Sequence, residues 1–322
     1  MKKKTENVVK VKKTATSPKA AKAVKVGKVA KPAAKLVAKK EGILLERTDK
    51  VVSRDKNTVL KIFGPSYKVS AILNEAMNEA RAAETGLPVA KVLEVLKLRN
   101  HWCIRREWVE GRTLADVMAS DKKNLMKYLK QFVTIQCEIF SKTSERMGNL
   151  VDKLDKQISA SPLPKETRYD LHMKLQGFTR GKALCHGDFN PTNVIITPNG
   201  DWRVIDWSHV RLGDPLADVA RTYLLFWLSG HVAAAEKYMA LACEALKAKI
   251  SDVQKWLPVV AAAESAKEQT AKNLELLLHW ASVVDYEWAQ HNPLHGEFLL
   301  CARKREESRL MREVSRRARA SG

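Results

Sequence analysis

The chain has 322 residues, of which 45% are hydrophobic and 29% are charged, and its formal net charge at pH 7 is +21. This length and composition predict a soluble globular protein that is long enough for two lobes. The absence of an 18-residue apolar run, of a signal-peptide core and of a C-x-x-C pair excludes a membrane segment and gives no indication of a zinc site. With five scattered cysteines, the sequence predicts a cytoplasmic protein.

Residues 1–41 are predicted to form a disordered basic tail. Residues 1–40 contain 14 Lys, no Arg and one acid, so they carry +13 of the net charge of +21. Lys is repeated with Ala, Val and Pro without an amphipathic period, and such a segment cannot bury enough apolar surface to offset its chain entropy. Two interpretations stay open: a solubilising extension, or a salt-sensitive tether to nucleic acid or another polyanion.

The next segment, residues 42–110, is predicted to form a small antiparallel sheet with one helix. Strand-forming runs bounded by polar turn residues occur at 43–45, 58–63, 91–96 and 102–109. Between the second and third run, residues 68–84 have helical periodicity, and Gly86 and Pro88 end the helix. The apolar residues expected on one face of this helix are Val69, Ile72, Leu73, Ala76 and Met77.

Residues 111–322 are predicted to be mainly helical. Helices are expected at 124–140, at 166–177 and throughout the region after Pro215. The exception is a strand-rich part at 183–207, where Asn199-Gly200 is typical of a hairpin turn.

The strand-rich part contains the most informative motif of the chain. Residues 186–195 read His-Gly-Asp-Phe-Asn-Pro-Thr-Asn-Val-Ile, and Val-Ile-Asp-Trp follows at 204–207. The motif therefore contains a carboxylate (Asp188), a carboxamide five residues later (Asn193) and a second carboxylate (Asp206). In phosphotransferases one carboxylate accepts the proton of the attacking hydroxyl, while the amide and the other carboxylate bind Mg²⁺. The combination is informative because Asp and Asn alone are common turn residues.

Together with Gly-Asp-Pro-Leu-Ala-Asp-Val-Ala at 213–220, these motifs resemble the aminoglycoside phosphotransferase and choline kinase family, whose members are small-molecule relatives of protein kinases. The resemblance extends from about Gly42 to Trp227. It implies an α+β, two-lobed protein-kinase-like fold, with an N-lobe at 42–110 and a helical C-lobe at 111–322 after the disordered tail. It also implies an ATP-dependent phosphotransferase that moves the γ-phosphoryl group to a hydroxyl of a small molecule, with ATP and Mg²⁺ as cofactors.

The resemblance assigns roles to the motif residues. Asp188 matches the catalytic base, and Asn193 and Asp206 match the metal ligands. His186 matches the loop histidine, whose expected function is to hold the loop by hydrogen bonds. Asp218 resembles the buried acid that braces the catalytic loop from the next helix.

Lys61 resembles the strand lysine that binds the α- and β-phosphates. Glu79 is the predicted ion-pair partner of this lysine from its spacing to residues 86–89, and Glu75, one turn earlier on the same face, is the alternative. The adenine is expected to contact backbone groups of the segment that joins the lobes: Glu107, Trp108 and Val109.

The expected phosphate-covering turn, residues 46–50, departs from the usual pattern because it contains no glycine. Glycine lets backbone amides approach phosphates closely, whereas this turn offers Arg47, Lys50 and the Thr48 hydroxyl. The departure leaves a second hypothesis open: a degenerate or weakly active kinase-fold binding protein that the tail tethers to nucleic acid.

Residues 251–300 give the one indication of the acceptor. This segment holds seven acids against three lysines, together with Trp280, Tyr286 and Trp288. Acids and aromatic rings suit an ammonium-bearing acceptor such as an aminoglycoside, an amino sugar or a choline-like alcohol. The competing interpretation is a pair of ordinary helices with solvated acids and core aromatics.

Overall fold

The computed structural model describes residues 42–47 and 49–282, all of which belong to one compact unit. The basic tail, Thr48 and residues 283–322 lie outside the described residues. The predictions for the tail, for Thr48, and for Tyr286 and Trp288 therefore stay predictions.

The N-lobe contains one antiparallel sheet in the order β1-β2-β3-β5-β4. Its strands are β1 (Ile43–Glu46), β2 (Lys50–Asp55), β3 (Thr58–Phe63), β4 (Val92–Leu98) and β5 (His101–Glu107). The four predicted strands are confirmed, and β2 is additional. The sequence did not reveal β2 because one of its two buried residues is Ser53, the other being Val51, and this polar residue breaks the apolar alternation.

The predicted helix of the N-lobe is α1 (Val69–Glu84), but its predicted apolar face was only partly right. Ile72 and Ala76 are buried, and the carboxylates of Glu75 and Glu79 are buried beside them. The other apolar residues are 39–46% exposed: Val69, Leu73 and Met77. The helix turns its acids inward because the sheet presents two basic side chains, Lys61 and Arg106, to it.

The C-lobe is mainly helical. Its helices are α2 (Leu114–Ser120), α3 (Leu125–Phe140), α4 (Leu150–Ala160), α5 (Lys165–Gln176), α6 (Pro215–Leu228), α7 (Val232–Leu246), α8 (Ile250–Gln254), α9 (Leu257–Ser265) and α10 (Ala271–Ser282). The helices expected at 124–140 and 166–177, and those expected after Pro215 as far as Ser282, are confirmed. The sequence did not predict α2, which has only seven residues, or α4, which is rich in polar residues.

Five short strands frame the motif residues: β6 (Arg112–Thr113), β7 (Ala183–Cys185), β8 (Val194–Ile196), β9 (Trp202–Val204) and β10 (Arg211–Gly213). They form a three-stranded sheet in the order β6-β8-β9 and a β7–β10 pair. The predicted hairpin at Asn199-Gly200 is confirmed, with Gly200 at φ 89°. The loop from β7 to β8 and the segment from β9 to β10 therefore emerge side by side.

The two lobes have separate hydrophobic cores. Phe63, Ile72, Ala76 and Ile104 form the small core of the N-lobe, while a much larger cluster fills the helical lobe. The predicted boundary at 110/111 falls in the connection between β5 and β6. This is the α+β, two-lobed kinase-like architecture that the motifs implied.

Two further sequence-based expectations concern membranes and thiols. Among the described residues, no helix is long and apolar enough to cross a membrane. The four cysteines in that part of the chain are free thiols, and three of them are buried: Cys103, Cys185 and Cys243.

Candidate active site

The structure brings together the three motif residues that the sequence predicted to act jointly. Asp188 lies in the loop between β7 and β8, and Asn193 Nδ2 donates to its backbone oxygen at 2.9 Å and to its Oδ2 at 3.2 Å. The backbone oxygen of Asn193 accepts the N–H of Ile205 at 2.9 Å. Asp206 is the next residue, so the two loops bring the amide and both carboxylates into one site.

His186 and Asp218 brace the loop between β7 and β8, the predicted catalytic loop, by hydrogen bonds. The Asp218 carboxylate accepts the N–H groups of Gly187 at 2.8 Å and His186 at 3.3 Å. His186 Nδ1 accepts the Asp188 N–H at 3.2 Å, which leaves Nε2 to donate to the Ile205 oxygen at 3.1 Å. Burial lowers the pKa of His186, in keeping with this neutral form. Both residues therefore have the bracing contacts expected for them.

Gly187 is required by the geometry of this loop. Its φ is +73°, and a Cβ at this position would lie 2.6 Å from the backbone oxygen of His209. Any other residue would clash with that carbonyl group and strain the backbone. The glycine thus lets the segment after Asp206 pass directly beside the catalytic loop.

The donor set at Asn193 and Asp206 fits a magnesium ion. Because the Asn193 amide nitrogen donates to Asp188, its Oδ1 is left as an acceptor. Asp206 Oδ1 accepts Ser208 Oγ at 3.0 Å and lies 3.4 Å from Lys61 Nζ. Burial would raise the pKa of Asp206, but Lys61, Lys50 and Arg106 together lower it. Mg²⁺ prefers such oxygen ligands and completes its shell with phosphates and water.

The candidate metal site at Asn193 and Asp206 would have few protein ligands. Among the described residues, no cluster of three or more His, Cys, Asp or Glu side chains has the geometry of a metal site. A two-ligand site suits Mg²⁺ that arrives with a nucleotide better than it suits a structural ion held by the protein alone.

Lys61 pairs with Glu75, so the prediction of Glu79 as its partner was wrong. Lys61 Nζ donates to Glu75 Oε1 at 2.6 Å. Glu79 instead binds Arg106 Nε through both of its oxygens, at 2.8 and 2.7 Å, and Arg106 Nη2 also reaches Glu75 at 2.7 Å. Arg106 lies on β5, the strand beside β3, and forms the ion pair with Glu79. Spacing along the chain could not show this pairing.

The two glutamates therefore have different functions, which can be tested. We expect Glu75→Gln to lower kcat/KM for ATP by about tenfold or more, because Lys61 loses the charge that positions it for the phosphates.

We expect Glu79→Gln to lower the free energy of unfolding by about 3 kcal/mol, because it leaves a buried arginine with one carboxylate instead of two. Burial raises the pKa of Glu79 to about 7 although Arg106 opposes this. Both variants remove a carboxylate from Arg106 and should unfold at lower temperature, so steady-state kinetics of the folded proteins distinguish them, because only Glu75→Gln also removes the partner of Lys61. A loss of kcat/KM in Glu79→Gln but not in Glu75→Gln would restore Glu79 as the partner of Lys61.

Three residues of the segment that joins the lobes were predicted to contact adenine through their backbone. Only one of them has a backbone N–H without an acceptor among the described residues. The Glu107 N–H donates to the Lys91 oxygen at 3.0 Å, and the Trp108 N–H donates to the Asn57 oxygen at 2.9 Å. No described residue accepts the N–H of Val109. The amides of Glu107 and Trp108 are thus used within the fold, whereas the Val109 amide has no acceptor among the described residues.

Lys50 is a site residue to which the sequence assigned no individual role. It starts β2, and the turn before it closes through the Arg47 N–H, which donates to the Lys50 oxygen at 2.9 Å. Burial and then the positive charge of Lys61 lower the pKa of Lys50, while Asp206 raises it. Lys50 therefore adds a second positive charge that acts on the same region as Lys61 and Asp206, at the end of a turn without glycine.

Arg221 on α6 is a second residue that the sequence did not single out. Its Nη2 donates to Asp188 Oδ1 at 3.3 Å, its Nε donates to the Gly187 oxygen, and its Nη1 pairs with Glu264. The available signal was its position three residues after Asp218, on the same face of α6. Arg221 thus orients the carboxylate of the predicted base.

Two of the residues behind the expected ammonium site of residues 251–300, Glu264 and Trp280, have partners within the fold. The Glu264 carboxylate pairs with Arg221 and with Lys267, the latter at 2.8 Å. Trp280 packs against Tyr223 and Trp227 in the core. Glu264 and Trp280 therefore have structural partners that account for them.

An amide and a carboxylate with oxygens suited to a metal, a neighbouring carboxylate and a lysine–glutamate pair lie between two unequal lobes. This arrangement is typical of kinase-like phosphotransferases. The chain belongs to the family described as "APH: Phosphotransferase enzyme family", whose sequence model matches residues 46–248. The family resemblance of the motifs is thereby confirmed.

Solved structures with this fold agree. A thermostable mutant of aminoglycoside phosphotransferase APH(4)-Ia in its apo form has a TM-score of 0.58 at 17% identity, covering 75% of this chain and 92% of the other. An aminoglycoside-3'-phosphotransferase of type VIII has a TM-score of 0.52 at 16% identity, covering 68% and 89%. Choline kinase LicA from Streptococcus pneumoniae has a TM-score of 0.51 at 14% identity, covering 74% and 89%. These similarities establish the fold.

Proposed function

We propose that this phosphotransferase moves the γ-phosphoryl group of Mg·ATP to a hydroxyl of a small molecule. The observation that carries the proposal is the convergence of Asp188, Asn193 and Asp206, with the Lys61–Glu75 pair 3.4 Å from Asp206. APH(4)-Ia, which shares the fold, has been solved in complexes with ADP or AMP-PNP and hygromycin B. These complexes support ATP as the donor.

Each group has a defined function in this mechanism. Asp188, held by Arg221 and Asn193, orients the acceptor hydroxyl and takes its proton as transfer proceeds. Lys61 and Lys50 bind the phosphates, and the Val109 amide meets the adenine. Asn193 Oδ1 and the Asp206 carboxylate would hold Mg²⁺, which supplies charge neutralisation on the phosphates when bound.

A panel of hydroxylated metabolites and aminoglycosides, incubated with γ-labelled ATP, tests the proposal. We expect label to appear on at least one panel compound, with ADP release that depends on both that compound and Mg²⁺. ATP titrations in the presence and absence of Mg²⁺ accompany the panel. Failure to bind ATP at millimolar concentration, together with no acceptor-dependent ADP release, would favour the non-catalytic binding protein instead.

A further inference from the structure

Positive charge surrounds the side of Asp188 that faces the C-lobe helices. We use the term basic cluster for four residues from four elements: Lys153 on α4, Arg211 on β10, Arg221 on α6 and Lys267 after α9. The four charges are close enough to interact, since the positive charges of Arg221, Arg211 and Lys267 all lower the pKa of Lys153. The negative charge of Asp188 raises the pKa of Lys153, of Arg221 and of Lys267, so these three lie close to the predicted base.

The acids nearby do not neutralise the basic cluster. Glu264 is shared between Arg221 and Lys267, and these two cations keep its pKa at about 2 although burial would raise it. Asp188 receives a hydrogen bond from Arg221. Lys153 and Arg211 have no carboxylate within ion-pair distance among the described residues.

Lys153 is one of the two members without a carboxylate partner. Its Nζ donates to the His209 oxygen at 3.1 Å, and this carbonyl group lies against Gly187 of the catalytic loop. Burial, and then the positive charges of Arg221, Arg211 and Lys267, lower the pKa of Lys153 well below its ordinary value. An ammonium group held here without a counter-ion is unfavourable, and a bound anion would relieve it.

Lys153 and Arg211 also line an open cavity of about 490 Å³ that reaches α1, a size suited to a small-molecule ligand. Its lining has no apolar side chain. Four of the lining residues are basic: Arg81, Lys153, Lys156 and Arg211. The one acid, Asp152, is ion-paired with Arg180, and the remaining side chains are amides. Such a wall suits an anion better than an ammonium group.

From this geometry we infer that the acceptor carries a phosphate or a carboxylate, which binds between Lys153 and Arg211 while the acceptor hydroxyl meets Asp188. The inference rests on the proposed phosphoryl transfer and adds the substrate class. It replaces the amine-bearing acceptor that the composition of residues 251–300 suggested. An ammonium group between Lys153 and Arg211 would face the four basic side chains that line the cavity. Arginine and lysine bind both phosphate and carboxylate groups by charge-assisted hydrogen bonds.

The first test measures anion binding without turnover. With saturating Mg·ADP filling the nucleotide site, inorganic phosphate is titrated and the thermal unfolding midpoint is followed. We expect the half-saturating phosphate concentration to rise about tenfold in Lys153→Gln and in Arg211→Gln. The matched control Lys130→Gln, on the exposed face of α3, should behave like the wild type. Equal phosphate titrations in all four proteins would overturn the inference, and either variant alone suffices if the other fails to fold.

The second test compares acceptors that differ in charge: glucose, glucose 6-phosphate, gluconate and glucosamine. We expect the two anions to compete for the site, and to accept phosphate, with at least about tenfold better affinity than glucose or glucosamine. The order of glucose 6-phosphate and gluconate distinguishes phosphate from carboxylate. Preferred turnover of glucosamine or an aminoglycoside would overturn the anionic acceptor and leave the proposed function intact. Phosphate binding without any ATP binding would overturn the proposed function and leave the anion site intact.

Discussion

Asp188→Asn is expected to lower kcat for phosphoryl transfer by ~100-fold or more while changing the Kd for Mg·ATP little. Asparagine keeps the size of the side chain and an oxygen for Arg221 Nη2, which lies 3.3 Å from Asp188 Oδ1. It loses the basicity that takes the proton of the acceptor. The bracing of the loop by Asp218 uses backbone N–H groups, so the fold should persist.

Single-turnover transfer to the acceptor found in the panel, together with a nucleotide titration, measures both quantities. Asp170→Asn, on the exposed surface of α5, makes the same chemical change away from the site and should match the wild type. If Asp188→Asn turned over at the wild-type rate, Asp188 would have no part in proton transfer.

Asp206→Ala is expected to abolish the dependence of ATP binding on Mg²⁺ and to lower kcat/KM by about 100-fold or more. The variant removes the only carboxylate assigned to the metal. The N-lobe should tolerate the change, because Lys61 still pairs with Glu75 at 2.6 Å. A general loss of folding is therefore not the expected cause of lost activity.

Asp206→Asn refines this test, because it keeps one oxygen donor but removes the negative charge. We expect a smaller loss of Mg²⁺ dependence than in Asp206→Ala. ATP titrations with and without Mg²⁺, together with circular dichroism as a check of folding, provide the comparison. An Asp206→Ala protein with wild-type Mg²⁺ dependence would exclude Asp206 as a ligand.

The residues that the structure brings together as the sequence predicted are those whose proposed roles are encoded within one short segment. Asp188 and Asn193 share one loop, and their spacing along the chain is enough to indicate the chemistry. Asp206 follows the end of β9, which a hairpin that the sequence also marks joins to β8. Lys61 lies in an apolar strand, where a lone charged residue is conspicuous.

The residues that were missed depend on contacts between distant segments. Glu79 was assigned to Lys61 because nothing in the spacing places Arg106 between the two glutamates. Arg221 and Lys153 approach Asp188 from α6 and α4, and local sequence does not show that two helices converge on one loop. The same holds for Glu264 in the acidic segment of residues 251–300, because its partner Arg221 comes from another helix.

The Glu75 carboxylate is shared by Lys61 and Arg106, and this has a consequence for regulation. A rotation of α1 away from the sheet would remove Glu75 and Glu79 together from Arg106 and would leave Lys61 with Asp206 alone, 3.4 Å away. Breaking a buried ion pair costs about 3–5 kcal/mol, so a disengaged conformation would occupy less than about 1% of the population. The N-lobe is thus built to keep α1 docked on the sheet.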